Sequence, residues 1–202
     1  MIKIIDNFLE DSSLLDELYS FFYYSGQWQF DFFTHKYIIS KKKNSELEDK
    51  ISKVIQEVIK VEPKFKNVGY EPWINIQDKD NHHLHHHVDC EEAHKGEFHN
   101  PSKMTATIYL GSEEELEGGE LAVDCEPYSP YTVFYDNIYE LKKEINKNQQ
   151  NNWIKIPYKY NRLVLFDEPY PHAVLPVQNI KKGNARITLI VSSWDKEIEV
   201  IR

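Results

Sequence analysis

His87 and Asp89 stand two residues apart, and His172 follows far downstream. Two imidazoles and one carboxylate can occupy one face of a non-haem ferrous ion and leave its other coordination positions open. Arg186 and Thr188 come after the second histidine. A guanidinium grips a carboxylate through two parallel hydrogen bonds, so an arginine close to such a metal suits a cosubstrate that carries a carboxylate. The combination points to iron-based oxidation fuelled by a 2-oxo dicarboxylate such as 2-oxoglutarate.

These side chains need strands to aim them. On an extended strand, residues two apart share a face, so His87 and Asp89 can reach the same ion. His172 lies in Phe166-Asp167-Glu168-Pro169-Tyr170-Pro171-His172, where an apolar strand enters a proline-flanked turn and the histidine opens the next strand. Residues 185–191 alternate, which places Arg186 and Thr188 together on one face. An unpartnered arginine inside a barrel is costly, so a protein carboxylate or a bound dicarboxylate must offset its burial. In residues 104–110, Thr105, Thr107 and Tyr109 share one face, while Met104, Ala106, Ile108 and Leu110 take the other. A polar face suits a lined cavity, and the Tyr109 hydroxyl can donate to a cosubstrate carboxylate. Gly118-Gly119 open the next strand and permit a close approach of backbone.

His82, His83, His85 and His86 crowd against His87, with His94 and His99 beyond, yet only His87 has an acid two residues later. The others could form a second metal site, help bind substrate, or occupy a polar loop. Cys90 follows Asp89 directly and reads as a small residue packed near the site. With Cys125 it could form one disulfide, but free thiols in a reducing compartment are the expectation.

Helices come first in the chain. After a short strand at residues 2–5, Asp11-Ser12-Ser13 offers capping side chains, and Leu14, Leu15, Leu18, Phe21 and Phe22 predict an apolar helix face. Residues 45–60 read as a second helix. Ser45 and Glu48 have capping-box spacing, and Leu47, Ile51, Val54, Ile55, Val58 and Ile59 form its buried stripe. From Val68 onward the pattern turns to short strands: residues 73–77, 104–110, 120–123, 131–135, 153–156, 163–166, 173–177 and 185–194. Helices followed by many short strands predict an α+β domain, mainly β, with a sandwich or barrel core. Residues 136–152 are rich in Lys, Asn and Gln and read as an insertion, either a lid or a tolerated addition.

The 202 residues suit one domain, with residues 1–65 as helical support and 66–202 as the strand-rich core. A net charge of -9 disfavours nucleic-acid partners, and Lys41-Lys42-Lys43 is too short to offset it, reading as a solvated loop. No apolar run approaches the roughly 20 residues that span a bilayer. The start, Met1-Ile2-Lys3-Ile4-Ile5-Asp6, lacks the features of a signal peptide. The expectation is a cytoplasmic protein without membrane partners.

The chain from Trp73 to Trp194 resembles the Fe(II)/2-oxoglutarate-dependent oxygenases, and within them the prolyl-4-hydroxylase-like branch. The resemblance rests on an ordered set: Thr107-Ile108-Tyr109-Leu110, Gly118-Gly119-Glu120-Leu121, Leu163-Val164-Leu165-Phe166, His172, Leu175-Pro176-Val177 and Arg186-Ile187-Thr188. Ile4-Ile5-Asp6-Asn7-Phe8-Leu9 also looks like the branch's opening. It implies a double-stranded β-helix, the jelly roll of cupin-like proteins, with N-terminal helices packed on one sheet. It implies Fe(II) held by His87, Asp89 and His172, and 2-oxoglutarate bound by Arg186 with Tyr109 and Thr188 in support. It implies oxygen as the oxidant, ascorbate as a stimulant, and succinate and carbon dioxide as the coproducts. Retention of Asp89 implies hydroxylation, since related halogenases carry a small residue there. The interval from His172 to Arg186 is somewhat longer than the branch's usual one.

The resemblance implies a peptidyl proline or another amino-acid-like substrate, either a peptide or a small molecule. Trp73, Asn75, Gln77 and Trp194 are candidate pocket walls. Two other readings compete. One is a non-catalytic, metal-binding jelly roll. The other is a nucleic-acid demethylase, disfavoured because Ser192 stands where that branch carries a further arginine.

Overall fold

The computed structural model describes residues 1–24, 37–38, 46–77, 102–114, 116–126, 143, 153–167, 170–181 and 185–195. A six-stranded antiparallel sheet dominates them. In chain order its strands are β1 (Ile2–Asp6), β2 (Tyr37–Ile38), β3 (Gly69–Gln77), β4 (Met104–Tyr109), β8 (Arg162–Asp167) and β11 (Arg186–Trp194), and their spatial order is β1-β8-β4-β11-β3-β2. A smaller sheet, order β7-β6-β9, is built from β6 (Leu121–Asp124), β7 (Trp153–Ile156) and β9 (His172–Val174). Two short strands, β5 (Glu117–Gly118) and β10 (Val177–Asn179), pair separately. These sheets form the jelly-roll fold.

Strand alternation gives the large sheet two different faces. Ala106 and Ile108 of β4, Leu163 and Leu165 of β8, and Ile187, Leu189 and Val191 of β11 are buried in one cluster with the helices. Helix α1 (Ser13–Tyr24) contributes Leu15, Leu18 and Phe22, and α2 (Glu46–Val61) contributes Ile51, Val54, Ile55 and Val58. Each buried aliphatic side chain contributes roughly 1.5–3 kcal/mol. The opposite face packs on the small sheet: Tyr109, Val164 and Phe166 meet Leu121, Val123, Ile156 and Val174. Central strand β8 is buried on both faces, which explains its unbroken Leu163-Val164-Leu165-Phe166 run.

Some expectations shift. Phe21 is 45% exposed, because it lies about 100° around the helix from Phe22 and falls outside the Leu15–Leu18–Phe22 stripe. The strand expected over 173–177 is two strands. Pro176 cannot donate to a ladder, so β9 ends at Val174 and β10 starts at Val177 with a different partner, Gly118. The strand expected over 131–135 and the insertion at 136–152 lie outside the described residues, Lys143 apart. So do Ser45, Cys90 and the histidines from 82 to 99. Asp11 accepts from the Ser13 amide at 3.0 Å, as its capping role required. Cys125 is an exposed free thiol.

Candidate active site

The inner face of the large sheet presents its side chains in rungs. Thr188 of β11 lies opposite Tyr109 of β4 on one side and Asn75 of β3 on the other. The next rung is Thr107, Ile190 and Trp73, and on the other side Arg186 stands opposite Gln77. Across the gap, β9 brings His172 and Val174, and β6 brings Leu121. Trp73, Thr107, Leu121, His172, Val174, Arg186, Thr188 and Ile190 together line one small cleft. The second histidine and the arginine, 14 residues apart in sequence, thus reach one cleft from opposite sheets.

Arg186 is fully buried. Its Nε donates to the Gly119 carbonyl at 2.8 Å, and Nη1 reaches the Thr188 hydroxyl at 3.5 Å. The guanidinium carbon lies 5.5 Å from the centre of the Tyr109 ring and 5.4 Å from that of Tyr158. Nη2 has no hydrogen-bond partner, and no carboxylate forms an ion pair with the group among the described residues. Glu120 acts on it only through longer-range charge. Loss of hydration in this dry corner pulls the guanidinium below its usual range, while the neighbouring tyrosines act in the opposite sense. The Tyr109 hydroxyl is also buried without a partner of good geometry, and burial pushes its ionisation up, so it stays a neutral donor.

Gly119 makes this arrangement possible. Its φ is +70°, and a Cβ there would stand 2.9 Å from Arg186 Cδ. Glycine is therefore required twice, for the left-handed backbone and for the close approach of the arginine. Gly118, with φ +78°, is similarly crowded by the Pro176 carbonyl at 2.4 Å.

His172 opens β9, nearly buried and edge-on to Phe166 at 4.9 Å between ring centres. Its Nδ1 lies 3.0 Å from the Tyr170 carbonyl. A carbonyl only accepts, so Nδ1 carries the proton of this hydrogen bond and Nε2 is the ring nitrogen left to face a metal. This is how an outer partner prepares a histidine to bind a metal.

The sequence model of the 2OG-Fe(II) oxygenase superfamily matches residues 72–192. The chain belongs to that superfamily. Its chemistry uses Fe(II), 2-oxoglutarate and O2. The oxygenase's fold is shared with solved structures at low identity. A prolyl-4-hydroxylase from Pseudomonas putida aligns with a TM-score of 0.57 at 13% identity, covering 96% of this chain and 92% of its own. A Trichoplax adhaerens prolyl hydroxylase, solved with a hypoxia-inducible factor oxygen degradation domain peptide, gives 0.54 at 17%, covering 96% and 83%. HygX from Streptomyces hygroscopicus, solved with iron bound, gives 0.54 at 11%, covering 95% and 80%. A search of curated proteins finds no match.

The corner around Arg186 fits the far carboxylate of 2-oxoglutarate, because its unpartnered Nη2 and the Tyr109 hydroxyl are both buried donors. Of the residues expected in the site, His172, Arg186 and Thr188 line the cleft, and Tyr109 shares a rung with Thr188. His87 and Asp89 lie outside the described residues. Trp73 also lines the cleft, while Asn75 and Gln77 follow it on the same strand face. Trp194 is buried at the far end of β11. Ser192, the position that would distinguish a demethylase, is spent on a 2.9 Å hydroxyl pair with Thr105. Tyr158 and Val174 carry no sequence signal that marks them as site residues, and Leu121 stands out only as the end of Gly118-Gly119-Glu120-Leu121. Tyr158 sits in Pro157-Tyr158-Lys159-Tyr160-Asn161, which reads as a turn, and no periodicity marks it. Among the described residues, no helix is long and apolar enough to cross a membrane.

Proposed function

We propose that this oxygenase hydroxylates a peptidyl proline or an amino-acid-like substrate, converting 2-oxoglutarate to succinate and carbon dioxide. His87, Asp89 and His172 would hold the iron, which together with O2 would supply the oxidising power for attack on a C–H bond. Arg186 would take the far carboxylate of 2-oxoglutarate, with Tyr109 and Thr188 as further donors. The observation that carries the reading is a fully buried guanidinium with an unpartnered Nη2, in a cleft that His172 also lines. An arginine so placed needs an anion, and the family's cosubstrate is a dicarboxylate. The peptide part rests on the folds it resembles, one of which was solved with a peptide.

The test is anaerobic. Fe(II) and then 2-oxoglutarate are added to metal-stripped protein, and the visible charge-transfer band is recorded. Wild type is expected to show the band and an Asp89→Ala, His172→Ala double variant to lack it. A folded wild type without the band would leave a non-catalytic metal-binding jelly roll as the better account. Incubation with proline-containing peptide libraries then reads the substrate, as a mass gain of one oxygen atom. A gain on free amino acids only would overturn the peptidyl version.

A further inference from the structure

Tyr158 lies between β7 and β8 and is buried beside the arginine, although it does not line the cleft. Its hydroxyl accepts the Gly111 amide at 2.7 Å and donates to the Ile187 carbonyl at 3.1 Å. Those two groups mark the place where β4 leaves β11. The Ile187 carbonyl already accepts the Leu110 amide at 3.0 Å, and Gly111 lies beyond the last residue of β4. One phenol therefore ties off the ladder one residue from Arg186. Its ring does a second job. It stacks on Tyr109, with centres 4.8 Å apart and planes 27° apart, and both rings lie against the guanidinium. Burial keeps the phenol neutral, so it donates and accepts at the same time.

The consequence is that both unpartnered donors, Arg186 Nη2 and the Tyr109 hydroxyl, are held by the same residue. An arginine side chain has several rotatable bonds, and its fork grips a carboxylate well only when its plane is fixed. Gly119 fixes the Nε edge. Thr188 lies 3.5 Å from Nη1, so the remaining freedom is tilt of the whole guanidinium plane, and the two stacked rings restrict it.

We propose that Tyr158 is a positioning residue for the cosubstrate, fixing Arg186 and Tyr109 in the geometry that receives a carboxylate. The proposal rests on the reading of Arg186 as the carboxylate anchor. It concerns binding of 2-oxoglutarate and not the oxidation that follows.

Three variants test it, Tyr158→Leu, Tyr158→Phe and, as a control, Phe65→Leu. Phe65 is an equally buried aromatic in the helix-side core, packed on Tyr70 away from the cleft. The primary readout is calorimetric titration of 2-oxoglutarate into anaerobic Fe(II)-loaded protein, with the KM for 2-oxoglutarate against kcat as the second. Tyr158→Leu is expected to raise the dissociation constant at least tenfold, about 1.4 kcal/mol, with kcat at saturating 2-oxoglutarate within about twofold of wild type. Tyr158→Phe keeps the ring and loses both hydrogen bonds, so a rise of about threefold to tenfold is expected. Phe65→Leu is expected to lower thermal stability and leave the dissociation constant unchanged. Equal affinity in wild type and Tyr158→Phe, or an equal weakening in Phe65→Leu, would overturn the positioning role. If Tyr158→Leu does not fold, the comparison of Tyr158→Phe with Phe65→Leu decides alone. A wild type that takes up no 2-oxoglutarate would instead overturn the reading of Arg186, which separates the two failures.

Discussion

Replacing Arg186 by methionine should abolish cosubstrate binding while leaving the empty protein about as stable as before. In the unliganded protein the guanidinium is fully buried, its hydrogen bonds and ring contacts are all to neutral groups (the Gly119 carbonyl, the Thr188 hydroxyl and two aromatic rings), and Glu120 acts on it only through longer-range charge. Removing it forfeits a charge-assisted hydrogen bond, roughly 1.5–3 kcal/mol, and cation–π contacts of roughly 1–2 kcal/mol. It also relieves a desolvation penalty of about several kcal/mol for the buried ion. These quantities nearly cancel, so the unliganded variant should lie within about 2 kcal/mol of wild type. The liganded state behaves differently. At 2-oxoglutarate one hundred times its dissociation constant, linkage adds about 2.7 kcal/mol to wild type. A domain of this size gains roughly 2–4 °C per kcal/mol, so the midpoint should rise by roughly 5–10 °C. Arg186→Met should show no rise, because losing one partner of a buried charge pair costs about 3–5 kcal/mol of binding. The assay is thermal unfolding of Fe(II)-loaded protein, anaerobically, with and without 2-oxoglutarate. A variant that keeps more than half of the wild-type rise would refute the reasoning. So would an unliganded variant that melts more than about 10 °C below wild type, since that would mean a protein carboxylate already partners the arginine.

Gly119→Ala places a Cβ 2.9 Å from Arg186 Cδ at a φ of +70°. It should cost about 1–2 kcal/mol of stability and also weaken 2-oxoglutarate binding, as read by denaturant melts and calorimetry. In His172→Ala, which removes a ring held by the Tyr170 carbonyl and the Phe166 edge, iron retained after desalting should fall to background. Asp6 accepts from Arg162 at 2.6 and 3.1 Å and from Lys159 at 2.8 Å, and these bonds hold its carboxyl well below the usual range. A depressed folded pKa stabilises above the unfolded value of about 4 and is lost as pH falls below it. Asp6→Asn should therefore be less stable at neutral pH by about 0.5–1 kcal/mol, after discounting for solvent screening. The gap should close as acid unfolding is followed from about pH 4 down towards pH 2.

The large sheet was legible because its two faces face different things. Thr105, Thr107 and Tyr109 alternate with Met104, Ala106, Ile108 and Leu110, and the structure sends the first set to the cleft side and the second to the helices. The same parity put Arg186 and Thr188 together. Periodicity fails where a chain break is chemical and not a matter of hydropathy. Pro176 splits an apolar run that reads as one strand. Phe21 is apolar and near the right spacing, yet its angle puts it in water. Tyr158 is unmarked in the sequence for a third reason: its contacts are with Gly111, Ile187, Tyr109 and Arg186, which the fold alone brings together.

The alternation of β11 also acts as a safeguard during folding. The strand pairs with β3 over its length and with β4 from Thr188 to Ser193, with Ile187, Leu189 and Val191 among aliphatic side chains and Arg186, Thr188 and Ile190 on the cleft. A slip of one residue would drive the Arg186 guanidinium into the greasy layer under the helices and turn Ile187, Leu189 and Val191 towards the polar pocket. The misaligned sheet would carry a charge stranded among aliphatic side chains, costing about several kcal/mol. The arginine that serves the cosubstrate in the finished protein thus also penalises the wrong alignment of the strand that carries it.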